Sequence, residues 1–215
     1  MPALAYYKLI LDGLALTILL TLSGSALALL IAFTVGLGRL SASRLIRELS
    51  RIYVGFFRGT SILVQLFWAF YVLPFLGLKL PPMAVGILLL GMNVGAYAAE
   101  VVRSAIQAVP PSQHEAATAI NLTRWQRLRH VILPQALLIM LPSFGNNVIE
   151  LLKMTAVVSL ITIGELTFQA QAIRAATGDT FIPYLTILVI YYLLSLVLVA
   201  PVRHLERRLS RKFQT

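Results

Sequence analysis

The chain has 215 residues, of which 59% are hydrophobic and 12% charged, and its 18 Lys and Arg outnumber 8 Asp and Glu to give a net charge of +10. With a mean hydropathy of +0.85, it is excluded from the ordinary soluble class, in which about 25% of residues are charged. The basic excess lies between long apolar runs, where it orients a chain in a bilayer rather than binding nucleic acid, and the absence of cysteine excludes disulfides, thiolate-held zinc and thiol chemistry.

In chain order, five apolar helices are predicted, at about 14–38, 52–76, 83–107, 136–161 and 182–202, each near the roughly 20 residues that a bilayer core requires. The small-residue spacing Ala26-Leu27-Ala28 imitates a signal-peptidase site. However, the apolar run continues to Leu37 and its basic cluster follows rather than precedes it, so a retained first span is expected. Arg39, Arg44, Arg47 and Arg51 follow the first span, and Arg103, Arg124, Arg127 and Arg129 follow the third. Arg203, Arg207, Arg208, Arg211 and Lys212 follow the fifth. The opposite side holds Lys8, Lys79 and Arg174. The positive-inside rule then places the N-terminus outside and the C-terminus in the cytoplasm. The segment 164–177 is too short and polar to span, and it reads as a helix at the outer interface ended by Gly178-Asp179. No linker or internal repeat divides residues 1–215, which are expected to form one membrane domain.

On the third span, Asn93, Tyr97, Glu100 and Ser104 fall on one helical stripe, with Gly91, Gly95 and Ala98 on the opposite, close-packing face. Asn93 is placed roughly 15 Å from the outer end of that span at 1.5 Å per residue, and Glu100 is expected to pair with Arg58 or Arg103.

The segment of about 108–134 is the polar interruption in this apolar chain. At roughly 28 residues it far exceeds the 2–8 of most helix–helix connections. Pro110-Pro111 ends the third span. Ser112 and Glu115 match a capping box that starts a helix at Gln113 and runs it to Ile120. Asn121 suits the left-handed residue that ends such a helix. Thr123 and Gln126 match a second box, leading a second helix through Trp125 to Pro134. Ala116 and Ala117 leave a thin face that another surface can approach closely.

On the fourth span, Pro142 and Gly145 mark a kink, followed by Asn146, Asn147, Glu150 and Lys153. Glu150 and Lys153, three residues apart, either pair with each other or meet a zwitterion, with Asn147, Asn93 and Gln65 supplying hydrogen bonds.

Glu115-Ala116-Ala117, Asn121, Val131 and Leu133-Pro134 resemble the "EAA" loop of bacterial ABC-importer permeases, with Asn121 where the family has Gly and Val131 where it often has Ile. Phe57-Arg58-Gly59-Thr60, Gln65, Ala96-Tyr97-Ala98-Ala99-Glu100, Gly145-Asn146-Asn147, Leu151-Leu152-Lys153 and Glu165-Leu166 extend the resemblance to the polar amino-acid uptake branch, although that branch often has Asp or Asn at the position of Met154. The resemblance implies an all-α, five-span, type I permease fold with a cytoplasmic coupling-helix loop, in the bacterial inner membrane. It implies a second permease subunit, two ATPase subunits and an extracytoplasmic binding protein, with alternating access importing a polar amino acid or related zwitterion.

The resemblance assigns Glu115, Ala116, Ala117, Asn121, Leu133 and Pro134 to ATPase coupling, and Gln65, Asn93, Tyr97, Asn147, Glu150 and Lys153 are the substrate-pathway candidates. The chain has no G-x-x-x-x-G-K-[ST] loop. ATP and Mg²⁺ are therefore expected on the partner ATPase, and no cofactor, metal or catalytic residue is expected here. An ion-gradient-driven secondary transporter is the alternative, and its signature would be inverted repeats with paired broken helices.

Overall fold

The computed structural model describes residues 3–213, and every regular element among them is helical. α1 (Ala3–Gly38) begins well before the expected start of the first span, and α4 (Pro82–Ala108) matches the expected third span. The two pack along most of their length, because small residues line the contact. A Cβ on Gly95 would stand 2.8 Å from Ile31 Cγ2, and one on Gly36 would stand 2.8 Å from the Ala99 carbonyl oxygen. This is the close-packing face expected for Gly91, Gly95 and Ala98. Thr17 and Thr21 are buried on α1 and satisfy their hydroxyls on the carbonyls of Gly13 (2.9 Å) and Thr17 (2.7 Å), one turn back.

The second span is not the straight helix expected at 52–76. α2 (Arg44–Gly59) ends at an extended Thr60, and the chain restarts as α3 (Ile62–Phe67), a π turn (Trp68–Val72) and a 3₁₀ turn (Leu73–Leu76), bent by 101° from α2. Gly59-Thr60-Ser61 is the break, and apolar composition alone gave no sign of it. Four further helices are long and apolar enough to cross a membrane, and the bent pair makes a fifth crossing if taken as one span.

After α4 come α5 (Pro111–Ala119), α6 (Arg124–Arg127), a π turn (Leu128–Ile132) and α7 (Leu133–Met154). The second loop helix therefore does not stop at Pro134; it runs through Pro142 and onward into the 3₁₀ turn Thr155–Ile161. Both π turns stand immediately before a Leu-Pro pair, Leu73-Pro74 and Leu133-Pro134. Proline has no N–H and its ring crowds the carbonyl four residues back. A wider turn, with the N–H of Leu73 reaching Trp68 and that of Leu133 reaching Leu128, carries the helix past the obstacle. α8 (Leu166–Thr177) is the expected short helix, ended by Gly178 in the left-handed conformation. α9 (Phe181–Phe213) contains the fifth span; the side chains of the basic tail at Arg203, Arg207, Arg208, Arg211 and Lys212 lie outside the described residues.

The core forms three successive clusters along α1. Ile10 packs with Leu166 and Ile173, Leu20 with Leu90 and Leu151, and Ala32 with Val102 and Met140. Large apolar side chains also cover the outside, including Leu11, Leu22 and Leu30 on α1 and Leu188, Tyr192 and Val197 on α9. Such a surface fits hydrocarbon and is unsuited to water.

Candidate functional site

The loop between α4 and α7 is locally determined. α5 begins at Pro111, with Pro110 at the cap position and no side chain capping it, so the expected Ser112–Glu115 box is not formed. The physical reason lies in Pro111: at the first helical position its fixed φ suits the helix and its missing N–H leaves nothing to cap. The helix therefore starts early and draws Ser112 into its first turn. At the other end Asn121 has φ +56°. The N–H of Leu122 bonds the Ala117 carbonyl (3.1 Å) and that of Asn121 the Thr118 carbonyl (2.9 Å), which is a Schellman turn with Asn in the place glycine usually takes. The Thr123–Gln126 box is present in both directions, at 2.9 Å from the Thr123 N–H to Gln126 Oε1 and 3.3 Å from the Gln126 N–H to Thr123 Oγ1. Arg127 Nη1 then donates to Thr118 Oγ1 at 2.7 Å, fixing α6 against α5, and Gln135 Nε2 donates to Gln113 Oε1 at 3.2 Å.

The six loop candidates do not share one surface. Ala117 is buried and lets α5 lie close on its own fold, whereas Glu115, Ala116 and Asn121 are exposed. Ile120 and Trp125 add 70% and 63% exposed apolar side chains to the same loop. Leu133 and Pro134 are half-buried at the joint between the π turn and α7, where they set the path of the helix.

Among the pathway candidates, Gln65 and Asn93 form a buried clamp across the break between α2 and α3. Asn93 Nδ2 donates to the Phe57 carbonyl (3.0 Å) and to Gln65 Oε1 (3.3 Å), and Gln65 Nε2 donates to Thr60 Oγ1 (2.6 Å). Both amide nitrogens and the Gln65 oxygen are spent on the chain itself. Tyr97 is exposed, with the Arg58 guanidinium 5.1 Å from its ring centroid. Glu100 bridges Arg39 Nη1 (2.8 Å) and Arg103 Nε (2.7 Å). Arg103 was an expected partner, and Arg39 was not, because nothing in the spacing brings the end of α1 beside α4.

Glu150 and Lys153 stand 4.0 Å apart, with side chains 56% and 69% exposed, so their attraction is weak. Asn147 Nδ2 and Ser25 Oγ are buried without a partner and line one cavity of about 270 Å³, otherwise apolar, between α1, α4, α7 and α9. Lys153 lines a second cavity, of about 370 Å³, with Thr167, Tyr184 and Tyr191. Behind it Glu165 is fully buried. Its carboxylate accepts the N–H groups of Thr167 and Phe168 (both 2.9 Å) and the Tyr191 hydroxyl (2.8 Å). Burial pushes this carboxyl up from the ordinary carboxylate range, and those three donors pull against the rise. Glu165 is thus the N-cap of α8, a role not assigned from the sequence, because Glu is an unusual cap. Among the described residues no hydrogen bond joins Gln65 or Asn93 to Glu150 or Lys153.

Residues 24–211 match the family described as binding-protein-dependent transport system inner membrane component. A probable amino-acid ABC transporter permease protein of Sinorhizobium fredii (y4tF) is 44% identical, over 93% of this chain and 86% of its own length. The L-cystine transport system permease protein of Bacillus subtilis is 35% identical, over 96% of this chain and 89% of its own. The glutamine transport system permease protein of Escherichia coli is 33% identical, over 94% and 93%. A crystal structure of an amino acid ABC transporter with histidines superposes with a TM-score of 0.89 at 35% identity, covering 96% of each chain. The inward-facing methionine ABC transporter shares the fold, with a TM-score of 0.80 at 21% identity over 94% of this chain.

Proposed function

Because the chain belongs to the family of binding-protein-dependent inner-membrane transport components, we propose that it works by handing the force of ATP hydrolysis from α5 to the helices around it. It is a permease subunit of an ATP-driven amino-acid importer. The ion-gradient alternative has no support. The observation that carries the coupling role is the loop itself: a nine-residue helix with Glu115 and Ala116 exposed, locked by a Schellman turn, a capping box and the Arg127–Thr118 bond. A rigid helix tied directly to α7 transmits a push, where a flexible loop absorbs it.

In this reading a cytoplasmic ATPase subunit receives α5, one on each of two permease subunits, and ATP and Mg²⁺ are held by the ATPase. The N-terminus is outside and the C-terminus in the cytoplasm, as the arginine distribution favours. An extracytoplasmic binding protein delivers a polar amino acid, the substrate class suggested by the glutamine and cystine permeases among the relatives. Glu150 and Lys153 meet its ammonium and carboxylate. A bilayer does not accept an exposed pair of charges at span depth, so this face of α7 borders an aqueous path rather than lipid. Gln65 and Asn93 serve that path indirectly, by holding the break in the second span.

The test is Ala116→Trp, which adds bulk to an exposed small residue and leaves the buried Ala117 in place. The variant is expected to fold and to lose ATPase association and ATP-driven uptake. Wild-type coupling in that variant would remove α5 from the docking role.

A further inference from the structure

Beneath the loop helices lies a cavity of about 580 Å³ that the transport mechanism does not use. Its floor is apolar, built from Leu37 and Leu40 at the end of α1, Ile106 near the end of α4, and Leu128 in the π turn. Its rim is basic, carrying Arg124, Arg127 and His114, and no carboxylate lines it. Of the nearby acids, Glu100 is engaged by Arg39 and Arg103 and Glu48 by Arg51, and Glu115, exposed on α5, does not line the cavity. Arg124 has no carboxylate partner among the described residues, and Arg127 reaches only the Thr118 hydroxyl. A third guanidinium, Arg47, bonds the carbonyl of Ser41 (3.0 Å), which itself lines the cavity.

The neighbouring helix places this rim at the level of a bilayer surface. On α2, Leu45, Leu49, Ile52 and Phe56 follow one exposed stripe, and Arg44, Arg47 and Arg51 lie on the other side. These three arginines all fall in the first half of α2, so the end of the second span that meets the rim is its basic, interfacial end. Trp125, exposed beside Arg124, has the amphipathic ring that favours the same depth.

We propose that this cavity binds an anionic phospholipid, its phosphate between Arg124 and Arg127 and the first carbons of its acyl chain on the Leu37–Leu40–Ile106 floor. Basic pockets between spans on the cytoplasmic side suit such headgroups. The site would make the stiffness of the coupling loop depend on membrane charge, because the same Arg127 ties α6 to α5. The inference rests on the loop being cytoplasmic, as in the reading above.

The permease–ATPase complex is placed in nanodiscs of phosphatidylcholine mixed with phosphatidylglycerol, and retained lipid is counted by native mass spectrometry. The wild-type complex is expected to retain phosphatidylglycerol preferentially. Arg124→Gln/Arg127→Gln should weaken that preference by roughly thirtyfold, the effect of removing two interfacial cations, and Arg124→Lys/Arg127→Lys should keep most of it. An unchanged preference in the Gln variant overturns the proposal. So does release of the lipid by soluble inorganic phosphate, which would mark a free-anion site. Loss of the ATPase from Arg124→Gln alone, which leaves the Arg127–Thr118 bond in place, would also overturn it, making the cavity an ATPase contact. If the wild-type complex carries no ATPase, the docking reading fails, and lipid retention by the permease still decides the cavity.

Discussion

Replacing Asn121 tests whether the loop's shape, rather than its composition, couples it to the ATPase. Asn121 sits at φ +56°, where it closes the Schellman turn through two backbone hydrogen bonds. An ordinary L-residue pays about 1–2 kcal/mol to sit there, and a β-branched one is a genuine outlier. Asn121→Val therefore shifts the balance between formed and unformed turn by about 2 kcal/mol, a factor of roughly thirty. The apparent affinity for the ATPase falls with the population of the competent loop. Asn121→Gly removes the strain and should bind at least as tightly as the wild-type protein. The assay titrates the reconstituted permease with purified ATPase subunit and follows ATP-driven amino-acid uptake in proteoliposomes. Equal affinity for the Val and wild-type proteins would refute the argument, as would a Gly variant as weak as the Val one.

Asn93→Leu strands Gln65 Oε1 at the break in the second span and leaves the Phe57 carbonyl only the 3.3 Å bond from Gln65 Nε2. A stranded group costs about 1–3 kcal/mol, so the melting temperature of the purified complex should drop by about 2–4 °C per kcal/mol, and Gln65→Ala added to it should cost less than the sum of the two. Lys153→Met removes an exposed cation with no strong partner; it should weaken substrate affinity in uptake assays without lowering the melting temperature, and a folding defect instead would make the residue structural. Glu165 has its pKa raised by burial, so folding favours its protonated form: the contribution is fully present below its ordinary value of 4.5 and is lost as pH rises through the raised value. Thermal melts of the wild-type protein against Glu165→Gln should therefore diverge across that window, with the variant showing the smaller loss as pH rises.

The sequence located the apolar spans because hydrocarbon demands long apolar runs, and α4 and the apolar part of α9 fall where expected. It also located the Thr123–Gln126 box and the left-handed Asn121, since both are decided by residues a few positions apart. Where two local signals competed, at Pro111 and Ser112, the rigid φ of proline prevailed over the box. The 101° bend after Gly59 was not legible. It depends on Asn93, 36 positions from Phe57, supplying the bond that holds the break. Separations of 61 and 26 positions likewise hid Arg39 from Glu100 and Tyr191 from Glu165. Polar residues that read as one stripe on the third span serve different ends: Asn93 is buried in the clamp, Tyr97 faces out, and Glu100 anchors α1.

The central claim, that an ATPase docks on the exposed face of α5, is open to one direct measurement, because the chain contains no cysteine. Ala116→Cys introduces a single thiol, to be cross-linked in the reconstituted complex during ATP-driven uptake. The account predicts a cross-link to the ATPase subunit and loss of uptake once it forms. A thiol that reacts freely with a membrane-impermeant reagent from outside right-side-out vesicles, or that never meets the ATPase while uptake continues, would contradict it.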